Sequence, residues 1–367
     1  MKNWKYKRLS ECSNFISERT SNITIDNYIS TENMIENRGG VKIASTLPDV
    51  KSTSAYKPND ILLSNIRPYF CKIWFADKKG SCSNDVLVVR AKKEIDPKFL
   101  YYVLSDQNFF NWDSITSKGT KMPRGTPNAI MKYSVPDIPL RTQQKIASIL
   151  SVYDNLIQNY KKQIEALQTA ASELYKEWFV RFRFPGYKNA KFENGIPEGW
   201  KIERLTKLVG IKYGKDHSKL DDGNIPVYGS GGIMRYCNKA LYDKETVLIP
   251  RKGSLNNIMY ANRPLWTVDT MFYSIMLRKN FAKYLYYVLS KIDMESFNAG
   301  AALPSMTTEI LSHFKIIVPD NKTLELFDNK IALIFTQIDN LQQQIANLTQ
   351  QRDLLLPRLM SGKLEVK

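Results

Sequence analysis

The sequence predicts an α+β protein: two repeated globular domains joined by two long, antiparallel coiled-coil helices, on a pseudo-two-fold plan. Apolar residues step by three and four through Ile146, Ile149, Tyr153, Leu156, Tyr160, Ile164, Leu167, Ala171, Leu174 and Trp178, a heptad seam with one extra step of four. A second seam runs through Phe327, Ile331, Ile334, Ile338, Leu341, Ile345, Leu348, Arg352, Leu355 and Leu359, with Arg352 its one polar break. The third observation is a repeat. LYYVLS at residues 100–105 returns letter for letter 185 residues later, at 285–290.

The first domain is assigned to residues 1–140. WKxxRL at Trp4, Lys5, Arg8 and Leu9 marks its start, and the same pattern returns at Trp200, Lys201, Arg204 and Leu205. Residues 4–21 read as an amphipathic opening. The runs ILL (61–63) and VLVV (86–89), bounded by Asn, Asp, Ser and Lys, predict buried strands. Residues 99–110 predict one short helix. The loop SKGTKMPRG (117–125) then gathers Lys118, Lys121 and Arg124 around two glycines, so its backbone can approach phosphates or groove edges closely. Arg67, with Tyr69, Lys72 and Trp74, is a smaller basic–aromatic group. Pro136 and Pro139 stop the domain before a helix expected to begin near Thr142.

That helix is assigned to 141–186, about 60 Å long at 1.5 Å per residue. Asp154-Asn155-Leu156 match Asp339-Asn340-Leu341 at an offset of 185, whereas Gln163-Ile164 match Gln344-Ile345 at 181. This reading places four extra residues, a stutter, inside the first helix. The helix ends in WFVRFRFPG (178–186). So many aromatics leaving a seam imply packing on a neighbouring domain or partner, which makes Trp178, Phe179, Phe182 and Phe184 candidate partner-binding residues.

The second domain is assigned to 187–320. IPVYGSGG (225–232) is a glycine-rich turn after a strand, and VLIPRKGS (247–254) is a strand entering a basic turn. Tyr228, Arg251, Lys252 and Ser254 are the contact candidates here. The loop at 298–306 holds the place of 117–125, with Ala301, Ala302 and Leu303 standing for Thr120, Lys121 and Met122. The scaffold is kept and the surface differs, as two modules reading two targets require. The second helix is assigned to 321–367, with Pro357 expected to end or kink its last turn.

The formal charge is +17. The helical segments carry seven basic against four acidic residues and six against five, which leaves +13 on the globular parts. Basic heads on near-neutral rods point to a polyanion, with nucleic acid the usual one; the plainer reading is lysine used for solubility. Cys12, Cys71, Cys82 and Cys237 show no CxxC spacing and His217 and His313 stand alone, so neither a metal site nor a disulfide framework is indicated. No stretch is long enough to span a bilayer and no apolar leader is present, so a cytoplasmic protein is expected. GIKYGKD (210–216) is one residue short of a P-loop and has Asp216 where Ser or Thr must hold magnesium. No Ser–His–Asp or Cys–His set is present, and no catalytic residue is assigned.

PLRTQQKIA (139–147), EWF (177–179) continuing through FRFPG (182–186) to GIPEGW (195–200), and LLPRLMSGKL (355–364) resemble the signatures of the DNA-specificity subunit of type I restriction–modification systems. The glycine turn at 228–232 is similar to one class of that family's target-recognition domains. The resemblance spans essentially the whole chain; one departure is the entry to the second helix, 323–330, which lacks the Gln143–Gln144 pair. It implies that each globular domain reads one half of a bipartite site in double-stranded DNA; the residue types and their clustering make Arg67, Lys118, Lys121 and Arg124 in the first and Tyr228, Arg251, Lys252 and Ser254 in the second the candidates for that contact. It implies that the helices set the spacing and dock two methyltransferase subunits, which bring S-adenosylmethionine. Two restriction subunits, where present, bring ATP, Mg2+ and cleavage. This chain then needs no cofactor and is not itself an enzyme. The other readings are a non-catalytic coiled-coil scaffold, a general DNA-binding protein without a restriction role, and a self-sufficient enzyme.

Overall fold

Each WKxxRL stretch forms one side of a two-stranded ribbon. Lys5–Arg8 pairs antiparallel with Ser134–Asp137, Arg8 opposite Ser134, and Lys201–Arg204 pairs likewise with Lys315–Val318, Arg204 opposite Lys315. The computed structural model describes residues 4–297 and 305–366. The chain divides into two units, Met1–Lys161 with Gln343–Lys367, and Lys162–Gln342.

The same sheet is built in each unit. In the first its antiparallel strands run Ser13–Phe15, Val86–Ala91, Ile61–Ser64, Ile73–Phe75. In the second they run Val209–Tyr213, Met271–Met276, Thr246–Pro250, Met259–Ala261. The apolar runs lack alternation because the inner strands are covered on both faces. Ile61 and Leu63 join Leu9, Phe99 and Ile146 on one side, while Leu62 joins Ile29, Met34 and Tyr56 on the other. Val247 and Ile249 likewise face a different cluster from Leu248.

Several sequence expectations are refined. Residues 4–21 form a strand, one helical turn at Leu9–Cys12 and further short strands. The helix expected over 99–110 is two, Pro97–Ser105 and Gln107–Thr116, because the Asp106 carboxylate accepts from the Asn108 N–H and caps the second. The near-match to a P-loop lies on strand Val209–Tyr213 and is not followed by a helix. All four cysteines are buried free thiols.

The long helices are Leu140–Tyr175 and Asn321–Met360, the latter running past Pro357 rather than stopping there. They pack antiparallel within each unit. In the first, Ile146, Ala147 and Leu150 share a core with Leu356, Leu359 and Met360; in the second, Trp178 packs at a tilt and Phe179 edge-to-face against Phe327. The buried stripe is wider than the heptad seam, because each helix also faces its globular core. Leu150 and Ile157 are buried where the seam had named Ile149 and Leu156, which are exposed. The polar break at Arg352 is answered by Asp154 at 2.7 Å, which also accepts from the Tyr102 hydroxyl at 2.6 Å.

The stutter is not in the helix. Strand partners Ser134 and Lys315, helix-cap residues Thr126 and Thr307, and the starts of the long helices at 140 and 321 all lie at an offset of 181. Burial along the helices keeps that offset, pairing Ile146 with Phe327, Leu150 with Ile331 and Ile157 with Ile338. The four-residue difference therefore falls between Ser105 and Thr126, against Ser290 and Thr307. There the first unit has the helix Gln107–Thr116 and the second a 3-10 turn, Met294–Phe297. One residue is inserted further on. A π-helical turn, Lys176–Val180, ends the first long helix before Phe182 at φ 54°, which packs on Trp200. Its counterpart Gly362, at φ 69°, packs on Trp4.

Candidate nucleic-acid interface

The end of the inner strand organises the candidate surface in the first unit. Past Ser64 the chain is spliced to the loop: the Gly125 N–H donates to the Asn65 carbonyl at 3.0 Å and the Arg67 N–H to the Pro123 carbonyl at 2.8 Å. Lys118 and Arg124 exchange both backbone hydrogen bonds, at 2.9 and 2.8 Å, and close the loop between them. Gly119 turns the chain at φ 96°, a conformation that side chains with a Cβ rarely adopt. Arg67, Lys118, Lys121 and Arg124 are thereby brought to one place. Lys118 and Lys121 are exposed; Arg124 is exposed but tied to Asp85 at 2.8 Å. Arg67 is half-buried at φ 50°, with its guanidinium over the Phe70 ring and its Nε without a hydrogen-bond partner.

Beneath the loop lies a group the sequence did not mark. Asp113, on helix Gln107–Thr116, is fully buried, and neither carboxyl oxygen has a hydrogen-bond partner. Burial pushes this carboxyl up to about 7. The Asn65 side-chain oxygen is also unpartnered. A Cβ on Gly125 would sit 2.5 Å from the Asp113 Oδ1 and 2.9 Å from the Asn65 Oδ1, so only glycine fits between them.

The second unit repeats the splice with other side chains. Lys252 bridges Ser305 as Ile66 bridges Arg124, and the Met306 N–H donates to the Arg251 carbonyl at 2.8 Å. Arg251 lies over the Tyr213 ring and donates to the Asp269 carbonyl at 3.1 Å. Gly253, at φ 83°, faces Ser230, whose carbonyl accepts from Asn257 at 2.8 Å. Arg251, Lys252 and Ser254 therefore sit together at one turn. Tyr228, two residues before Ser230, lines a cavity of about 750 Å³ with Tyr236, Tyr260, Arg263 and Tyr286. Of the loop at 298–306, residues 298–304 lie outside the described residues.

The aromatic run packs largely within the second unit. Trp178, Phe179 and Phe184 are buried and Phe182 is half-buried, packed on Phe327, Tyr284, Trp200 and Phe192. Their faces are used inside the second unit, which is the neighbouring-domain outcome rather than an exposed partner patch. Gln143 is also engaged internally, accepting from the Asp96 N–H at 2.9 Å and donating to the Ile138 carbonyl at 2.9 Å. Asp320 and Thr323 fasten the second entry instead, with the Thr323 N–H donating to Asp320 at 2.9 Å.

A family model described as the type I restriction modification DNA specificity domain matches residues 1–169 and 197–352. The chain belongs to this family. It is 26% identical over 313 residues to the MjaIX specificity subunit of Methanocaldococcus jannaschii, covering 75% of this chain and 71% of that one. It is 22% identical to the HindI specificity subunit of Haemophilus influenzae, covering 99% of this chain and all of that one. The crystal structure of the S subunit of a type I system from M. genitalium superposes over the whole chain and 97% of its own, with a TM-score of 0.61 at 20% identity, a likeness of fold. As a type I specificity-family chain, it carries its two matched stretches on the two repeats derived above. Among the described residues no helix is long and apolar enough to cross a membrane.

Sequence reasoning missed Asn65, Asp85 and Asp113 in the first unit and Tyr213, Ser230 and Asn257 in the second. No local pattern marks them; they reach the site only through strand pairing. The one available signal was the 185 offset that aligns Asn84 with Asp269, beside Asp85 and Thr270.

Proposed function

We propose that this chain is the address-bearing, non-catalytic subunit of a type I restriction–modification complex, in which each unit reads one half of a bipartite double-stranded DNA site. The observation that carries this reading is the spliced strand end. Both units present the same backbone platform at the same topological place, and the side chains on it differ: Arg67, Lys118, Lys121 and Arg124 against Arg251, Lys252 and Ser254. Sequence is read where Arg, Lys, Asn or Gln meet base edges, while other cations hold phosphates and fix register. The long helices act as the ruler for the unread spacer. Two methyltransferase subunits dock on the chain and bring S-adenosylmethionine; restriction subunits bring ATP, Mg2+ and cleavage.

The test is selection of random duplex DNA on the chain co-purified with its methyltransferase partner. Two short defined blocks at a fixed gap are expected. Retention of DNA without any motif would support general DNA binding, and no retention at moderate salt would support a scaffold.

A further inference from the structure

We propose that Asp113 is the positioning residue of the first unit's basic loop, holding it for DNA by sharing one proton with the Asn65 side chain. This rests on the proposed reading of that loop as a DNA contact. Two acceptors, Asp113 Oδ1 and Asn65 Oδ1, flank the space that a Cβ on Gly125 would fill, 2.5 and 2.9 Å from it, and the Asp113 carboxyl is fully buried without a hydrogen-bond partner among the described residues. Two acceptors that crowd one buried space are unsatisfied unless a hydrogen is supplied to them, and an unpaired carboxylate in such a place is strongly disfavoured. With the acid protonated, its O–H donates to the Asn65 oxygen, and the other Asp113 oxygen is left as a neutral carbonyl acceptor rather than a buried charge.

Asn65 is also the splice. Its N–H donates to the Asp85 carbonyl at 2.8 Å, its carbonyl accepts from Gly125 at 3.0 Å, and the Asp85 carboxylate holds Arg124. Losing the shared proton leaves an uncompensated buried carboxylate that draws in water, and this opens the joint between Asn65 and Gly125 that aims Lys118, Lys121 and Arg124. The charged groups on the surrounding elements are Arg67, Asp85, Lys118, Lys121 and Arg124, with Asp106 at the head of its own helix. Burial, not any of these, moves the Asp113 acid from 3.8 to about 7. The sign follows: a closed loop keeps the proton up to about pH 7, whereas an open, solvated Asp113 loses it near 3.8. Closure is favoured at low pH and lost as pH rises between those values.

The experiment measures affinity of the chain, with its methyltransferase partner, for a fluorescein-labelled duplex carrying the selected site, from pH 5.5 to pH 8. One proton limits the change to about tenfold per pH unit, and a loss of roughly tenfold over the range is expected. Asp113→Asn offers Asn65 an N–H donor at every pH and is expected to remove this dependence, with the changes confined to the half-site read by the first unit. Identical pH profiles for the two proteins would overturn the proposal, because Asn65 turned end for end would then already satisfy an ionised Asp113. Hydrogen exchange of peptide 113–126 in the wild-type chain, corrected for intrinsic rates, needs no variant and no DNA. Protection is expected to fall over the same range, and constant protection overturns the proposal. Absence of DNA binding at every pH would instead defeat the functional reading on which it rests.

Discussion

Charge removal at the first unit's loop gives the sharpest quantitative expectation. Lys118 and Lys121 are exposed, whereas Arg124 is paired with Asp85 at 2.8 Å. Each phosphate neutralised by a cation contributes about −0.9 to the slope of log K against log salt. Lys121→Ala should therefore lower the slope by about 0.9, so that its deficit against wild type shrinks by ~3.5-fold between 50 and 200 mM salt. Arg124→Ala should change the slope less, since Asp85 already offsets part of its charge. It should still weaken binding, because it leaves the Asp85 carboxylate facing the DNA, and Asp85→Asn should restore part of the loss. Fluorescence anisotropy on the selected duplex at four salt concentrations measures all three variants. A Lys121→Ala slope equal to wild type, or an Arg124→Ala defect that Asp85→Asn does not relieve, would refute the assignment.

Two stability predictions concern buried ion groups. Arg352→Ala should destabilise the first unit by about 3–5 kcal/mol in chemical denaturation, because it strands Asp154 in the helix seam, while Asp154→Leu with Arg352→Leu should recover part of that loss, the Tyr102 hydroxyl having lost its acceptor. Lys283 lies 2.6 Å from Glu245 and 2.9 Å from Asp328, so Lys283→Met should cost the second unit roughly 2–4 kcal/mol by leaving two carboxylates unpaired, and an unchanged midpoint would contradict it.

The periodic and repeated parts of the fold were legible because the same physics acts twice. LYYVLS recurs since Leu100 and Leu285, and Tyr102 and Tyr287, are buried in equivalent helices. The four-residue difference was misplaced for a physical reason: four residues are close to one helical turn, so a shift of four leaves the faces aligned and lets Asp154 match Asp339 by letter. The strand registers, the helix starts and the burial along the helices separate the two alignments. The aromatic run announced burial but not its partner, since Trp178 and Phe179 look the same whether they meet Phe327 or another protein. Lys118, Lys121 and Arg124 could be found because they crowd one loop. Asp113 could not, because its burial and its closeness to Gly125 arise only from tertiary folding.

The central claim, that the chain is an address in two halves, is tested most directly by methylation mapping. The chain is co-expressed with its methyltransferase subunit and N6-methyladenine is read genome-wide, against the methyltransferase alone and against a version with residues 1–140 exchanged for another family member's. The account predicts a split motif with a fixed gap that appears only with the chain, and an exchange that rewrites one block and leaves the other. A stable complex that gives no new methylation, or an exchange that alters both blocks together, would contradict it.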